Sequence, residues 1–588
     1  MSNTTVEQLI AVARGDVPGD LLLANGRIVN VFTSEIEESD VVLCEGRIAG
    51  ISARRQRTSA SGGGGRGYKA REVVDLGGAY LLPGFINGHT HIESSMLSIG
   101  QYARAVVARG TTSVVTDLHE LANVAGLGAL RRLLRDAARL PLDVFLMAPS
   151  CVPATDLETA GASLEPRDIA AALRWRNTLG LGEVMNFPGV VSGDPHCLAK
   201  LRAARGRPID GHAPGLTGKG LNAYLAAGPR SDHESTSLEE GRDKLRRGMH
   251  LMIREGTSEK NLEELLPLVT DDTYPRCLLV VDDRSCKDLL HDGDIDAVVR
   301  KAVRLGLSPI RAIQLATINP ATYFGLSDRG AIAPGFVANL IVADDLSDLQ
   351  PRQVYCGGRL AASDGRALFS AALPVPRRLR RTFHIAPFSE HAFALKTSER
   401  RLPVIGIVPG QIITRKLVEE VRVEDGRVVA DSERDILKLA VVERHRATGN
   451  IGLGLVKGFG LKRGALASSV AHDSHNVIVV GTNDRDMYVA VRAVERMQGG
   501  LTVVAEGRAL ASLALPLASL MSPEPLETVA AQLEAVEGAA ASLGASVAAP
   551  FAVLSFLALP VIPELKLTDK GLVDVGKASF VDIIRIES

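Results

Sequence analysis

The chain has 588 residues, of which 46% are hydrophobic and 23% charged, and its 57 glycines and 28 prolines follow no period. That profile excludes fibrous and disordered classes, and the length excludes a single compact core, so about three or four structural units are expected. Lys and Arg number 67 against 68 Asp and Glu, so no net field gathers a polyanion and nucleic acid is not the expected partner.

In chain order, the opening MSNTTVEQLIAVARGD lacks a basic segment leading into an apolar one, and no export signal is expected. Residues 20–80 hold short β-type runs, LLLANGRIVNVF, DVVLCEGRIAGI and EVVDLGGAYLLPG, separated by turn signals. The basic, Gly/Ser-rich stretch Ala53–Arg71 between them reads as a loop. A second β-type block returns at 330–361. The two blocks are expected to pair into one small composite β domain, 1–79 with 326–372, that flanks an insertion.

Within the insertion, 80–325, eight apolar runs alternate with stretches of helical period such as ALRRLLRDAARL and LAKLRAARG. The runs are LLPGFIN, TSVVTD, DVFLMAPS, GLGEVMNF, PIDGH, a short one near Ser231, HLMIREG and CLLVVDD. This is the pattern of an α/β fold built as a (β/α)8 TIM-like barrel, whose chemistry sits where the strands end. After the basic linker LPVPRRLRRTF, residues 383–588 are expected to form a C-terminal α/β or α+β domain with strands in LAVVERH, NVIVVGT and LTVVAEG. The apolar runs Ala509–Met521 and Val547–Pro563 fall short of the roughly 20 residues that cross a bilayer. They read as buried core, and no membrane partner is expected.

The residues that end the eight runs are His89 and His91, then Asp117, His119 and Glu120, then Glu183, His212, His233 and Asp282. Residues two apart on a strand point the same way, so His89 and His91 can face one metal. Neutral imidazoles with carboxylate oxygens suit Zn, Fe, Mn and related ions. A bridging Glu183 could hold two cations about 3.5–4 Å apart, one using His89 and His91, the other His212 and His233. Water on such a cation becomes hydroxide near neutral pH and attacks an electrophilic carbon, with Glu120 or Asp282 moving the proton. His91-Ile-Glu93 satisfies HxE, but no PCxxC follows, so the Cys-ligated zinc of nucleic-acid deaminases is not expected. The six cysteines (Cys44, Cys151, Cys197, Cys277, Cys286, Cys356) are dispersed without CxxC pairs, which fits a reducing cytoplasm.

Several segments taken together resemble the bacterial adenine deaminase family of the amidohydrolase superfamily: PGFINGHTHIESSM, GTTSVVTDLHELANVAG, GLGEVMNFPGVVSGD, IDGHAPGLTGKGLNAYLAAGPRSDHEST, LVVDDRSC and, near the C-terminus, AHDSHNVIVVGTNDRDM. HxH is common across the superfamily, whereas HIESSM, DLHE, GEVMNFPGV and SDHE together are specific to this branch. Leu118 departs from the DPHE usual in the family, and the acid and imidazole beside it are retained.

The resemblance implies two divalent ions, Mn2+ foremost with Fe2+ or Zn2+ as alternatives, on His89, His91, Glu183, His212, His233 and a last-strand aspartate. That aspartate is Asp282 or its neighbour Asp283, and the resemblance favours Asp282, because members of the superfamily usually place the ligand immediately after the small or apolar strand end. It further implies that hydroxide attacks C6 of adenine, that Glu120 relays protons, that Asp282 orients the nucleophile, and that hypoxanthine and ammonia leave. His119 and Asp283 join the catalytic candidates, and a homo-oligomer, a dimer first, is expected. The competing readings are a cyclic-amide or N-acetyl amidohydrolase of the same superfamily, and a non-catalytic scaffold on a degenerate barrel.

Three other features are open in the sequence. Arg254, Glu255 and Arg284 read equally as purine contacts or surface ion pairs. His472-Asp473-Ser474-His475-Asn476 reads as a loop serving the site or as a hydrogen-bonded turn. Gly452, Gly454, Gly458 and Gly460 lack a GxGxxG or GK[ST] continuation and read as a turn-rich β segment.

Overall fold

The structure, a computed structural model, describes residues 5–53 and 67–583. Most of the Gly/Ser-rich stretch read as a loop, residues 54–66, lies outside the described residues.

The β-type runs near the N-terminus form strands β1 (Gly19–Asn30), β2 (Glu35–Cys44), β3 (Arg47–Ala53), β4 (Ala70–Asp75) and β5 (Tyr80–Pro83). The alternating runs that follow form β6 (Phe85–Thr90), β7 (Thr111–Asp117), β8 (Asp143–Ala148), β9 (Thr178–Val184), β10 (Ile209–Gly211), β11 (Ser231–Asp232), β12 (His250–Arg254) and β13 (Cys277–Val280). The later block supplies β14 (Leu340–Ala343), β15 (Pro351–Cys356), β16 (Arg359–Ser363) and β17 (Arg366–Ala367). The two ends of this stretch meet in one nine-stranded sheet, where β5 runs antiparallel to β14 with Leu82 opposite Ile341.

Strands β6 to β10 pair in parallel, each with its sequence neighbour, and β11, β12 and β13 make a second parallel sheet. The two sheets touch along both edges. Asp282 N donates to His89 O at 3.1 Å on one side, and Arg230 N donates to Ile209 O at 3.0 Å on the other. These strands are buried almost throughout, which is why they read as continuous apolar runs instead of alternating ones. Ile86, Val115, Met147, Met252, Leu278 and Val280 cluster with at most 1% exposure. They form an apolar floor beneath the polar strand ends.

The C-terminal region is built on an eight-stranded sheet whose spatial order begins Thr414–Glu420, Arg401–Ile407, Ile451–Lys457 and Ile436–Val442, and ends with Val477–Gly481, Ala465–Ser468, Gly500–Ala505 and Arg508–Ala514. Gly452 and Gly454 lie inside one of these strands, and a Cβ at Gly452 would meet Thr568 O at 1.9 Å, so glycine there answers a close backbone approach. The Ala509–Met521 run departs from the reading as uniform core. Its first half is the edge strand Arg508–Ala514, where Leu510 is 51% exposed, and burial is continuous only from Leu517. Among the described residues no helix is long and apolar enough to cross a membrane.

This region docks on the strand ends of the parallel sheets. Ser98 N donates to Ser522 O at 2.8 Å, Asn476 Nδ2 to Thr159 O at 2.9 Å, and the Arg104 guanidinium holds both oxygens of Glu527.

Candidate metal centre

Glu183, the penultimate residue of β9, is the hub of the site. Its Oε1 lies 3.2 Å from His91 Nε2 and 3.4 Å from His119 Nδ1, and its Oε2 lies 2.8 Å from His212 Nδ1 and 3.2 Å from His233 Nε2. Asp282, two residues past β13, puts Oδ1 3.4 Å from His89 Nε2 and 3.2 Å from His91 Nε2. Its neighbour Asp283 lines the same cavity and accepts from Ser94 Oγ. Glu183, His89, His91, His119, His233 and Asp282 are buried, whereas His212, Asp283 and Ser94 are part-exposed.

The pattern of protons argues for cations between these groups. His91 Nδ1 sits 2.8 Å from Asp117 O, a pure acceptor, so a neutral His91 carries its hydrogen there and leaves a lone pair on Nε2. That lone pair faces two carboxylate oxygens. His89 Nε2 and His233 Nδ1 are buried without a hydrogen-bond partner. Converging lone pairs are stable only with a proton or a metal ion among them, and nitrogen and oxygen donors without thiolate fit a hard or borderline divalent ion. Four overlapping groups satisfy ligand spacing: His89, Glu183 and His233; His89, His91 and Asp282; His91, His119 and Glu183; and His212, His233 and Glu234.

The same field shows in protonation. Burial disfavours a charged His91, yet the Asp282 and Glu183 carboxylates outweigh it and lift the imidazole well above its ordinary range. For Glu183, burial raises the carboxyl, and the His212, His233 and His91 imidazoles overcome that and hold it well below the usual carboxylate range.

A family profile described as "Adenine deaminase C-terminal domain" matches residues 411–579, and one described as "Amidohydrolase family" matches 80–361. A protein of Dehalococcoides mccartyi named adenine deaminase is 56% identical over 572 residues, covering 97% of this chain and 98% of that one. The chain belongs to the adenine deaminase family. A relative of the same name from Desulfatibacillum aliphaticivorans is 49% identical over 98% of this chain and 99% of its own. Another, from Methanothrix thermoacetophila, is 46% identical over 98% of this chain and 99% of its own. The amidohydrolase fold that comes with membership agrees with the mixed α/β content and the parallel strands.

In this adenine deaminase family member, several residues at the centre escape a reading by strand ends. Glu234 lies 3.6 Å from His212 Nδ1 and 3.5 Å from His233 Nε2. It follows His233 directly and would point the opposite way on a strand. However, β11 is only two residues long, so both side chains reach the cavity. Arg254 ends β12 and is neither a surface ion pair nor free for a ligand. Its Nη1 donates to Glu234 Oε1 at 2.5 Å and to Asp282 Oδ2 at 2.8 Å, clamping two site carboxylates. Glu255 turns to Lys301, and Arg284 is occupied by the carbonyls of Gly293 and Glu255.

Asp117 closes β7 and accepts from Glu183 N at 2.9 Å, orienting the hub. Glu93, of the HxE match, accepts from Leu121 N at 3.0 Å, and burial followed by the nearby Glu120 charge pushes it up to about 8. His119 and Glu120 open the helix His119–Ala137. His472 and Asp473 of the C-terminal region line the same cavity as Glu120, Glu183 and Asp282.

Proposed function

We propose that this chain hydrolyses adenine to hypoxanthine and ammonia at the strand-end cavity. The observation that carries the reading is identity of 44–56% over nearly the whole chain to relatives named adenine deaminase. In support, a donor set for divalent ions lies in a cavity next to an ionised carboxylate outside that set. His89, His91, Glu183, His212, His233 and Asp282 would hold two ions, Mn2+ foremost with Fe2+ or Zn2+ as alternatives. Bound there, such ions supply positive charge and lower the proton affinity of water.

The side chains supply the rest. Water oxygen adds at C6 as N1 takes one proton, the C6–N6 bond breaks as the amine takes the second and leaves as ammonia, so both protons of the water must travel from oxygen to nitrogen. Glu120 is the proton carrier. Burial opposes its charge, but His472, His475 and His119 hold the carboxyl below its usual range, so it is ionised and has oxygen lone pairs free to take a proton. Asp282, clamped by Arg254, orients the nucleophile, and Asp283 with Ser94 borders the same space. His119 lies between Glu183 and Asp473, 3.4 Å from the one and 3.8 Å from the other, and keeps the hub in place.

The architecture that serves this chemistry is read as a closed (β/α)8 barrel at 80–325, inserted in a β domain made of 1–79 and 326–372, with 383–588 as a C-terminal domain. Support comes from the hydrogen bonds joining the two parallel sheets at both edges and from the pairing of β5 with β14. Six free cysteines agree with a reducing cytoplasm.

A direct competition tests the substrate assignment. Protein reconstituted with Mn2+ should release ammonia from adenine and leave dihydroorotate and N-acetylated sugars or amino acids untouched. Turnover of a cyclic or acetylated amide in preference to adenine refutes it.

A further inference from the structure

The His472–Asn476 segment stands apart from the metal ligand set, yet it is built into the cavity with unusual care. Glu120, 1% exposed, has Oε1 3.1 Å from His472 Nδ1 and accepts from Ser94 Oγ at 3.3 Å. Its Oε2 lies 4.0 Å from His475 Nε2. These three side chains satisfy metal-ligand spacing, but the hydrogen bonding of His475 argues against a cation. Ala471 N–H donates to His475 Nδ1 at 3.2 Å, so a neutral imidazole carries its hydrogen on Nε2. That nitrogen is buried, has no hydrogen-bond partner and faces Glu120. An N–H aimed at a carboxylate is a donor; it has no lone pair to offer a metal.

The loop holding both imidazoles is anchored from several sides. The fully buried Arg444 donates from Nε to His475 O at 2.5 Å and from Nη1 to Thr382 O at 3.0 Å. His472 N donates to Ser555 Oγ at 3.2 Å, and the His472 ring stacks on Phe556 with centroids 4.6 Å apart and planes 20° from parallel. His475 adopts φ 57°, a left-handed conformation that side chains seldom take, which aims its ring inward.

We propose that His472 and His475 are positioning residues for the Glu120 carboxylate, so that the C-terminal region is part of the catalytic apparatus instead of a cover over it. The inference rests on Glu120 being the proton carrier described above. A glutamate on the first turn of a helix has several rotamers open to it. Two imidazole N–H groups fixed by the loop, one contacting Glu120 at hydrogen-bond distance and one directed at its second oxygen, confine the carboxylate to the orientation from which it can meet water and the departing amine.

The test uses the full-length, metal-reconstituted protein and five variants: His472→Ala, His475→Ala, His475→Gln, Glu120→Gln and the double variant Glu120→Gln with His475→Ala. Metal content, kcat and KM for adenine are measured on each. Losing the positioning of a proton carrier should lower kcat by about 10²-fold in both alanine variants, with KM within roughly threefold and metal content unchanged. Glutamine at 475 keeps an N–H donor and should recover most of the loss. In the Glu120→Gln background, His475→Ala should add no further loss, because the group it positions is gone.

Wild-type kcat in both alanine variants overturns the proposal. So does loss of one metal ion per chain on replacing His475, which would make it a ligand. An active Glu120→Gln removes the proton-carrier reading itself, whereas an inactive Glu120→Gln beside a fully active His475→Ala defeats only the present inference.

Discussion

Gly182→Ala, a single methyl group, should dismantle the hub of the metal centre without touching any ligand. A Cβ at residue 182 would stand 1.9 Å from Asp117 Oδ2 and 2.6 Å from its Cγ. Ordinary contact begins near 3.4 Å, so the carboxylate must retreat by 3.4 − 1.9 = 1.5 Å. Asp117 is 2% exposed, so its carboxylate cannot move into solvent without leaving its buried position. The same oxygen accepts from Glu183 N at 2.9 Å, a bond that does not survive a shift of that size. Overpacking costs about 1–3 kcal/mol, and the lost bond to a charged acceptor about 1.5–3 kcal/mol. Because Glu183 is the hub, the cost should surface as weaker metal binding, about 10–100-fold. Dialysis against graded chelator followed by metal analysis measures it, with Gly538→Ala as control, since a Cβ there meets nothing within 4 Å. Wild-type metal affinity and wild-type kcat in Gly182→Ala would refute the reasoning.

Three further outcomes follow from the site and its surroundings. Glu120→Gln should keep its metal content and lose turnover by at least about 10²-fold, read by metal analysis beside ammonia release; near-normal deamination would remove Glu120 from the mechanism. Asp282→Ala should lose metal whereas Asp283→Ala should retain it, because only the first carboxylate reaches His89 and His91; the reverse pattern exchanges their roles. Lys566 donates to Ile412 O at 2.8 Å and Phe556 O at 2.9 Å, and burial pulls its ammonium down to about 7. Its unfolded value is about 10.4, so between about pH 7 and 10 the unfolded chain binds more protons and stability rises with pH. Lys566→Met cannot titrate and should lack that rise, so scanning calorimetry at pH 7.5 and 9.5 should show the wild type gaining on the variant. Parallel shifts would contradict the burial argument.

Much of the parallel-strand region was legible in the sequence because both faces of its strands are covered, so each strand is one apolar run and each intervening helix has its own period. His89, His91, Glu183, His212 and His233 could be found because they share one position, the end of a run. Glu234 could not, since that rule assumes an extended strand and β11 turns after Asp232. Arg254 was noticed, but its clamp on Glu234 and Asp282 depends on three different strand ends converging. The contact of His472 with Glu120 joins residues more than 350 positions apart in the chain, and no local period or spacing encodes such a contact. The HDSHN segment therefore read equally as a loop serving the site or as a hydrogen-bonded turn, with nothing to name Glu120 as what it touches. Leu510 shows the opposite error: an apolar run reads as core even where it forms a sheet edge.

The account stands most directly on a titration of metal-free protein with Mn2+ while adenine deamination is followed by hypoxanthine absorbance and ammonia release. Activity should be absent at the start, rise with added metal to a plateau at two equivalents per chain, and yield one hypoxanthine and one ammonia per adenine consumed. Full activity without metal, or no activity after saturation with either Mn2+ or Fe2+, would contradict it.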